Sequence, residues 1–200
     1  MHIAEGVLSG PVLSCGAVIA FTGTAIGLKN IDYDKIVHVA ILASAFFVAS
    51  LIHINIGPAS VHLILNGIVG LLLGFAAVPA ILTALLLQSI LFQYGGLTAL
   101  GVNLVVMAVP AVLSYYIFLP FIGKSTKSTF IAGFLAGVFS ISLSGVLLGA
   151  ALWFTDKNFF ATSCAILVSH VPVMIIEGII TGFCISFLLK VYPEIIPKKR

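Results

Sequence analysis

Charge is scarce in this sequence. Nine Lys or Arg and six Asp or Glu residues make up only 8% of the 200 residues, against about 25% in an ordinary soluble domain. So few charged side chains cannot cover a folded globule of 21.0 kDa with a water-compatible surface. They also argue against a nucleic-acid partner, which needs clustered Lys and Arg. With 61% hydrophobic residues and a mean hydropathy of +1.27, the sequence is that of an integral membrane protein.

Several chemical motifs are missing as well. The three cysteines, Cys15, Cys164 and Cys184, lie apart in apolar stretches, which excludes a disulfide framework or a zinc knuckle. Residues 123–126 read Gly-Lys-Ser-Thr, but Phe118 stands where a phosphate-binding loop needs its first glycine. We therefore expect no ATP hydrolysis by this chain. The N-terminus lacks the basic region of a cleavable signal peptide, so we expect Met1 to begin the mature protein.

Seven stretches are long and apolar enough to suggest transmembrane helices, since a crossing takes about 20 residues. They lie in one transmembrane domain, 1–200, and follow a short N-terminal segment, 1–10. The fold class is therefore an all-α membrane protein with a bundle of about seven transmembrane helices. The predicted spans are 11–28, 36–53, 61–77, 79–94, 102–121, 129–153 and 162–190.

The distribution of Lys and Arg predicts the orientation, because cytoplasmic loops carry an excess of both. With the C-terminus in the cytoplasm, Lys157 alone falls outside. The N-terminus is then outside, in a multi-pass protein of the cell membrane. The eight cytoplasmic residues are Lys29, Lys35, Lys124, Lys127, Lys190, Lys198, Lys199 and Arg200.

The first two residues can chelate a metal. The amine of Met1, the backbone amide nitrogen of His2 and the His2 imidazole can close two adjacent rings on one ion. Deprotonating a backbone amide needs a metal that favours square-planar nitrogen ligation, which indicates Ni(II) or Cu(II), with Co(II) possible. A second imidazole would fill the fourth corner. The topology places His62 on the same side of the membrane as His2.

Four segments carry a resemblance to a known family. They are Met-His-Ile-Ala-Glu-Gly at residues 1–6, Ser-Val-His-Leu at 60–63, Tyr-Gly-Gly-Leu-Thr-Ala-Leu-Gly-Val-Asn at 94–103, and His-Val-Pro at 170–172 with Glu177-Gly. Over essentially its whole length the chain resembles the CbiM/NikM family. These proteins are the substrate-specificity components of energy-coupling-factor transporters for cobalt and nickel.

The resemblance implies a metal site and partners. The ligands would be the Met1 amine, the His2 amide and imidazole, and a histidine that matches His62. The substrate would be Co(II) or Ni(II), between which the sequence does not decide, and no tightly bound cofactor is implied. The partners would be a transmembrane coupling subunit, ATP-binding subunits and, as a further option, a small accessory membrane subunit.

Five other residues are candidate metal ligands or hydrogen-bond partners of the ligands. The loop 57–60 is one residue shorter than its family counterpart, which leaves His53 as an alternative to His62. Glu177 is an acid inside a span, where a charge costs about 2.5–3.5 kcal/mol. It is expected to be protonated or hydrogen-bonded to another helix, or to act as a bundle-stabilising or metal-coupling acid that faces the interior. Asn66 would share a helix face with His62. The full set is His53, Asn66, Asn103, His170 and Glu177.

Small residues in the second span permit close helix contact. They recur at a spacing of three to four residues, which fits either internal packing or, as the resemblance implies, docking onto the coupling subunit. The four are Ala40, Ser44, Ala45 and Ala49. Gly133 and Gly137 in the sixth span offer a comparable close-packing face.

Two other functions remain as alternatives. A specificity subunit for another small solute would share the fold but would give no role to His2. An intramembrane metalloenzyme would use His62, His170 and Glu177, but the sequence has no His-Glu-x-x-His motif. The leading prediction is a metal-capture subunit of a transporter, and not an enzyme.

Overall fold

The computed structural model describes residues 2–56 and 59–197, without the side chains of 53–56 and 59–61. Eight α-helices and one β-hairpin make up this part of the chain. The helices are α1 Gly10–Lys29, α2 Ile36–Ala49, α3 Asn66–Leu73, α4 Ala77–Phe92, α5 Leu100–Phe118, α6 Thr126–Thr155, α7 Phe160–Ser169 and α8 Val171–Val191. The antiparallel hairpin consists of β1 His53–Ile56 and β2 Ala59–His62.

Many hydroxyl groups on the helices bond to backbone carbonyls of their own helix, which suits a bilayer. Ser14 and Thr22 on α1 donate their hydroxyl protons to the carbonyls of Gly10 and Val18, one turn earlier. At the start of α6 the hydroxyl oxygen of Ser125 accepts the N–H of Ser128 at 3.1 Å, a typical N-cap. Large apolar side chains cover the outside of the bundle, and Phe21 is 78% exposed. Such a surface suits lipid rather than water.

Among the described residues, five helical segments are long and apolar enough to cross a membrane. This confirms a multi-pass membrane protein. The segments are Gly10–Lys29, Asn66–Phe92, Leu100–Phe121, Thr126–Thr155 and Val171–Val191.

The segment Asn66–Phe92 is bent back on itself. The chain turns at Gly74, whose φ of +55° lies in the left-handed region. Before the turn, Gly67 packs against Gly137 and Gly70 against Ala111, so α3 runs beside α5 toward Tyr115. After it, α4 runs in the opposite direction and brings Gln88 back to the end of the bundle that holds His2. α3 and α4 are therefore two limbs, not one crossing.

With these two limbs the chain passes along the bundle seven times, because α7 and α8 together form the last passage. The N-terminal segment, the β-hairpin and the end of α6 share one end, where the N–H of Ser9 donates to Thr155 Oγ1 at 3.2 Å. The end of α8 lies at the other, where His38 and Tyr192 are in ring contact. The predicted seven-helix bundle with termini at opposite ends is confirmed.

Glycines bring α6 and α8 into backbone contact. A Cβ on Gly133 would lie 2.9 Å from the Cα of Gly182, and one on Gly137 would lie 2.8 Å from the Cα of Gly178. No side chain larger than a hydrogen atom fits at such a distance without a shift of the helices. The face formed by Gly133 and Gly137 is therefore internal and does not meet a partner.

Two local expectations were wrong, whereas the last span kinks where its length and Pro172 lead one to expect a kink. His62 ends a β-strand and Asn66 begins α3, so the two do not share a helix face. The second span ends as a helix at Ala49, and the chain enters the hairpin at His53. The last span is divided at His170 into α7 and α8.

Candidate metal centre

Two predicted ligands meet at the N-terminal end of the bundle. The imidazole rings of His2 and His62 are stacked, with centroids 5.0 Å apart and planes 24° apart. His2 lies in the extended segment before α1, whereas His62 is the last residue of β2. His62 is only 3% exposed. The pair therefore lies within the bundle.

A chain of hydrogen bonds sets the protonation of His2. Phe47 O can only accept, so the Ser50 hydroxyl donates a hydrogen bond to it, at 2.7 Å, and accepts one from the amide N–H of Gln88. Gln88 Oε1 then faces His2 Nε2 at 2.8 Å. Because that oxygen can only accept, Nε2 carries the proton. The lone pair of the neutral ring is then on Nδ1, the nitrogen nearer the backbone.

His62 has the opposite arrangement. Its Nδ1 lies 2.9 Å from the carbonyl oxygen of Leu63, which can only accept. Nδ1 is therefore the protonated nitrogen, and Nε2 carries the lone pair in the neutral ring. Each imidazole is held by an oxygen acceptor in the tautomer that offers its other nitrogen to a metal, an arrangement found in many metal sites.

Asn103 on α5 holds the N-terminal segment in place. Its Oδ1 accepts the N–H of Ile3 at 2.9 Å, and its Nδ2 donates to the Ile3 carbonyl at 3.1 Å. The backbone N–H and carbonyl of Ile3, the residue after His2, are thus both fixed. Gly95, with φ +80°, leaves room for this clamp, since a Cβ there would lie 2.8 Å from Asn103 Nδ2 and 3.6 Å from His2 Cβ. Asn103 thus positions the backbone next to His2.

Of three further neighbours of His2, the sequence singles out Gln88 as a residue that can orient the histidines, but not Ser50 or Tyr94. Gln88 and Ser50 form the hydrogen-bond chain, and the ring of Tyr94 lies 6.3 Å from that of His2. For Gln88 a signal was present, because a buried amide within an apolar helix needs a polar partner. Ser50 gave no comparable signal, since serines are common in membrane helices and bond to their own backbone.

The other candidate ligands lie elsewhere or outside the described atoms. Met1 is outside the described residues. His53 pairs with His62 in the hairpin register, but its side chain is also outside the described part. Asn66 Nδ2 donates to Ser144 Oγ at 3.0 Å and so ties α3 to α6. His170 Nδ1 lies 2.8 Å from Ile166 O, within the same passage.

Glu177 lies in the interior but not at the two histidines. Its carboxylate accepts hydrogen bonds from the backbone N–H groups of Ile64 and Leu65. Glu177 is therefore bonded to the segment that precedes α3 and not, as one expectation had it, to another helix. His170 bonds within its own passage, whereas His62 and Glu177 both bond to the backbone of residues 63–65. The described residues do not bring the three together as a metal-binding group, so the metalloenzyme site is not assembled there.

Three of the four small residues on α2 face outward. Ala40, Ser44 and Ala45 are exposed, whereas Ala49 is buried at 7% exposure beside Ser50. Ala49 therefore fits the internal-packing alternative, because the end of α2 turns into the bundle there.

Side chains supply two nitrogen donors to this site. Across residues 2–56 and 59–197, no group of three or more His, Cys, Asp or Glu residues could hold a metal ion. A cation bound by His2 and His62 therefore needs further donors from the backbone, from the chain terminus or from side chains outside the described part.

Comparisons with known proteins all identify proteins of metal transport. Residues 2–195 match the profile of a family described as "Cobalt uptake substrate-specific transmembrane region". A relative from Haemophilus influenzae, named as a metal transport protein, is 44% identical over 198 residues, which cover 98% of this chain and 96% of the relative. The cobalt transport protein CbiM of Sorangium cellulosum is 27% identical over 216 residues, covering 99% and 95%. A crystal structure of a truncated transition metal transporter has a TM-score of 0.73 at 25% identity, covering 95% and 99%.

Proposed function

The chain belongs to the family of cobalt uptake substrate-specific transmembrane regions, and we propose that it captures Co(II) or Ni(II) through its N-terminus. Members of the family and the relatives are metal transport proteins, not enzymes. The chain is thus a membrane component of cobalt or nickel transport. Its proposed role in that process is to bind the dehydrated cation, as substrate, at the outer face.

The proposed ligands are four nitrogens. They are the Met1 amine, the His2 amide nitrogen, His2 Nδ1 and His62 Nε2. Nδ1 is the ring nitrogen that can close a chelate ring with the amide of the same residue. Four nitrogens in a plane suit Ni(II) and low-spin Co(II).

One observation supports this proposal above the others. His2 and His62 are in ring contact, and each hydrogen-bonds an oxygen through the nitrogen that the chelate does not use. Such outer partners commonly fix the tautomer of a metal-binding histidine. A specificity subunit for an organic solute has no need for either tautomer.

Energy for transport would come from partner subunits, because this chain lacks a phosphate-binding loop. We propose ATP-binding subunits and a transmembrane coupling subunit of the energy-coupling-factor type, with a small accessory membrane subunit as a further option. Ala40, Ser44 and Ala45 on the outward face of α2 would permit close docking of a coupling helix.

The decisive experiment measures Ni(II) and Co(II) binding by calorimetry and visible spectroscopy. The full chain is prepared with an N-terminal tag that a protease removes to leave Met1 as the first residue. We expect near-stoichiometric binding after cleavage and none before, because the tag turns the Met1 amine into an amide. His2→Ala should abolish binding, and His62→Ala should weaken it by about 100-fold or more, since even outer partners of a metal site are worth 10–100-fold.

His38→Ala is the matched control, because this histidine lies at the other end of the bundle, against Tyr192. It should bind metal as the unaltered protein does. Equal binding by the tagged and cleaved proteins would rule out the terminal amine as a ligand. Full binding by His2→Ala would refute the whole site.

A further inference from the structure

Glu177 is completely buried and is bonded to the segment that carries His62. It lies on α8 with 0% exposure. Its carboxylate accepts the N–H of Ile64, and the N–H of Leu65 at 2.9 Å to Oε1 and 3.1 Å to Oε2. These two donors lie 113 and 112 residues away in sequence. The bond thus joins two distant parts of the fold.

The donors belong to a short connection, residues 63–65, between strand β2 and helix α3. Leu65 has φ +58°, a left-handed conformation that costs a residue with a Cβ about 1–2 kcal/mol. Neither N–H lies within a strand or a helix, and a buried N–H without a partner is costly. The Glu177 carboxylate supplies the acceptor that water would provide at a surface.

The same connection determines the state of His62. The acceptor of His62 Nδ1–H is the carbonyl of Leu63, the residue just before Ile64. A change in the backbone of 63–65 would therefore move the ring and also remove the acceptor that fixes its tautomer. The position of both ring nitrogens depends on how this connection is held.

We propose that Glu177 is a positioning residue that holds His62 in the geometry of the metal site through the backbone of Ile64 and Leu65. This inference rests on the proposed function, since it presumes that His62 is a ligand. The carboxylate itself is fixed by α8, which is in backbone contact with α6 at Gly137 and Gly178. The fourth ligand is thereby tied to the α6–α8 pair and not only to its own hairpin.

The test is a double-mutant cycle on the affinity for Ni(II), with Glu177→Leu, Glu177→Gln and His62→Ala in the full chain. Glu177→Leu should lower the affinity about 10-fold or more, as loss of an outer partner does. Glu177→Gln keeps one carbonyl oxygen as acceptor and should lie between Glu177→Leu and the unaltered protein. In the His62→Ala background, neither substitution should lower the affinity further, because the ligand being positioned is already absent.

Two more measurements separate positioning from general stability. The visible spectrum of the Ni(II) complex of Glu177→Leu should shift toward that of His62→Ala. Thr181→Val is the matched control, since Thr181 lies one turn further along α8 and is equally buried. It should change neither the spectrum nor the affinity.

The outcomes distinguish this inference from the proposed function. If His2→Ala and His62→Ala lose binding while Glu177→Leu and Glu177→Gln bind normally, the positioning role is refuted and the metal site stands. Additive losses in the His62→Ala background would also refute it, as they would show a general effect on the fold. If His62→Ala binds normally, the assignment of the fourth ligand fails and the positioning role fails with it.

Discussion

At the scale of single residues, the site depends on polar side chains that an apolar bundle would otherwise exclude. Gln88 and Ser50 are both 0% exposed, and Asn103 is 2% exposed. Inside a bundle a polar side chain without partners is costly, so each of these is bonded on at least one side to a neighbour. The result is a rigid frame around His2. Rigidity of this kind reduces the ordering that metal binding would otherwise require.

Replacing Gln88 tests whether these buried polar side chains fix His2 for metal binding. Gln88→Leu removes the acceptor of His2 Nε2–H, so the ring no longer favours the tautomer with its lone pair on Nδ1. We expect the Ni(II) affinity to fall about 10–100-fold. Gln88→Glu keeps an acceptor oxygen and should stay closer to the unaltered protein. Calorimetric titration of the two variants side by side gives the comparison.

Thr83→Val is the control for the loss of a polar side chain from the same helix, α4. Thr83 is exposed and its hydroxyl bonds only to the carbonyl of Pro79 within α4. It should leave metal affinity unchanged. If Gln88→Leu binds Ni(II) as tightly as Thr83→Val does, the tautomer of His2 is not set by Gln88.

At the scale of elements, α6 and α8 pack with their backbones in direct contact. Gly133 lies opposite Gly182, and Gly137 lies opposite Gly178. Without a hydrophobic driving force between helices in lipid, such close backbone contact is a main source of their association. These glycines are internal, and their substitution should affect stability before it affects any partner.

Gly133→Ala should destabilise the bundle. Its Cβ would lie 2.9 Å from Gly182 Cα and 3.1 Å from the Thr181 carbonyl oxygen, so the two backbones must separate. Overpacking of this kind costs about 1–3 kcal/mol. Thermal unfolding in detergent, followed by the helical circular-dichroism signal, should show a lower Tm.

The matched control is Gly149→Ala on the same helix. There the Cβ would lie 3.3 Å from the Cβ of Ser163, a contact with a side chain and not with backbone, which needs a shift of only a few tenths of an ångström. Alanine also has a higher helix propensity than glycine by about 1 kcal/mol. Gly149→Ala should therefore be neutral or stabilising. A Tm for Gly133→Ala that is equal to or above that of Gly149→Ala would contradict the role given to the α6–α8 contact.

The sequence predicted some elements well and others poorly, for physical reasons. Long apolar runs such as that of α6 predict transmembrane helices directly, because a chain that crosses a bilayer as a single segment must be helical. The hairpin was missed because its apolar residues adjoin those of α3. Its alternation of His53, Ile54, Asn55 and Ile56, followed by Gly-Pro, was nevertheless a strand signal.

The metal site, too, could be predicted from the sequence only in part. Covalent chemistry brings the amine and His2 together, so that part of the chelate follows from the first two residues. The contacts of Gln88 with His2 and of Glu177 with Ile64 link residues 86 and 113 positions apart. No local pattern encodes such pairs, because they arise only when the helices pack.

At the scale of the whole molecule, charge and topology agree. Of the described Lys residues, Lys157 follows α6 at the end of the bundle that holds His2. Lys29, Lys35, Lys124, Lys127 and Lys190 lie near the helix ends opposite to it. The bias of Lys and Arg toward the cytoplasm then predicts that the metal site faces outward. An importer needs this orientation to meet its substrate.

The two limbs α3 and α4 make this arrangement testable in intact cells. Because the chain turns back at Gly74, Ile52 before the limbs and Thr98 after them should lie on the same side of the membrane. Single cysteines at Ile52, Thr98 and Lys124 are introduced after Cys15, Cys164 and Cys184 have been replaced by alanine. A maleimide that does not cross membranes should label Ile52→Cys and Thr98→Cys from outside, and Lys124→Cys only after permeabilisation.

If residues 66–92 crossed the membrane once, Ile52→Cys and Thr98→Cys would label from opposite sides. Labelling of Lys124→Cys alone in intact cells would reverse the orientation and place the metal site in the cytoplasm, where it could not capture an external cation.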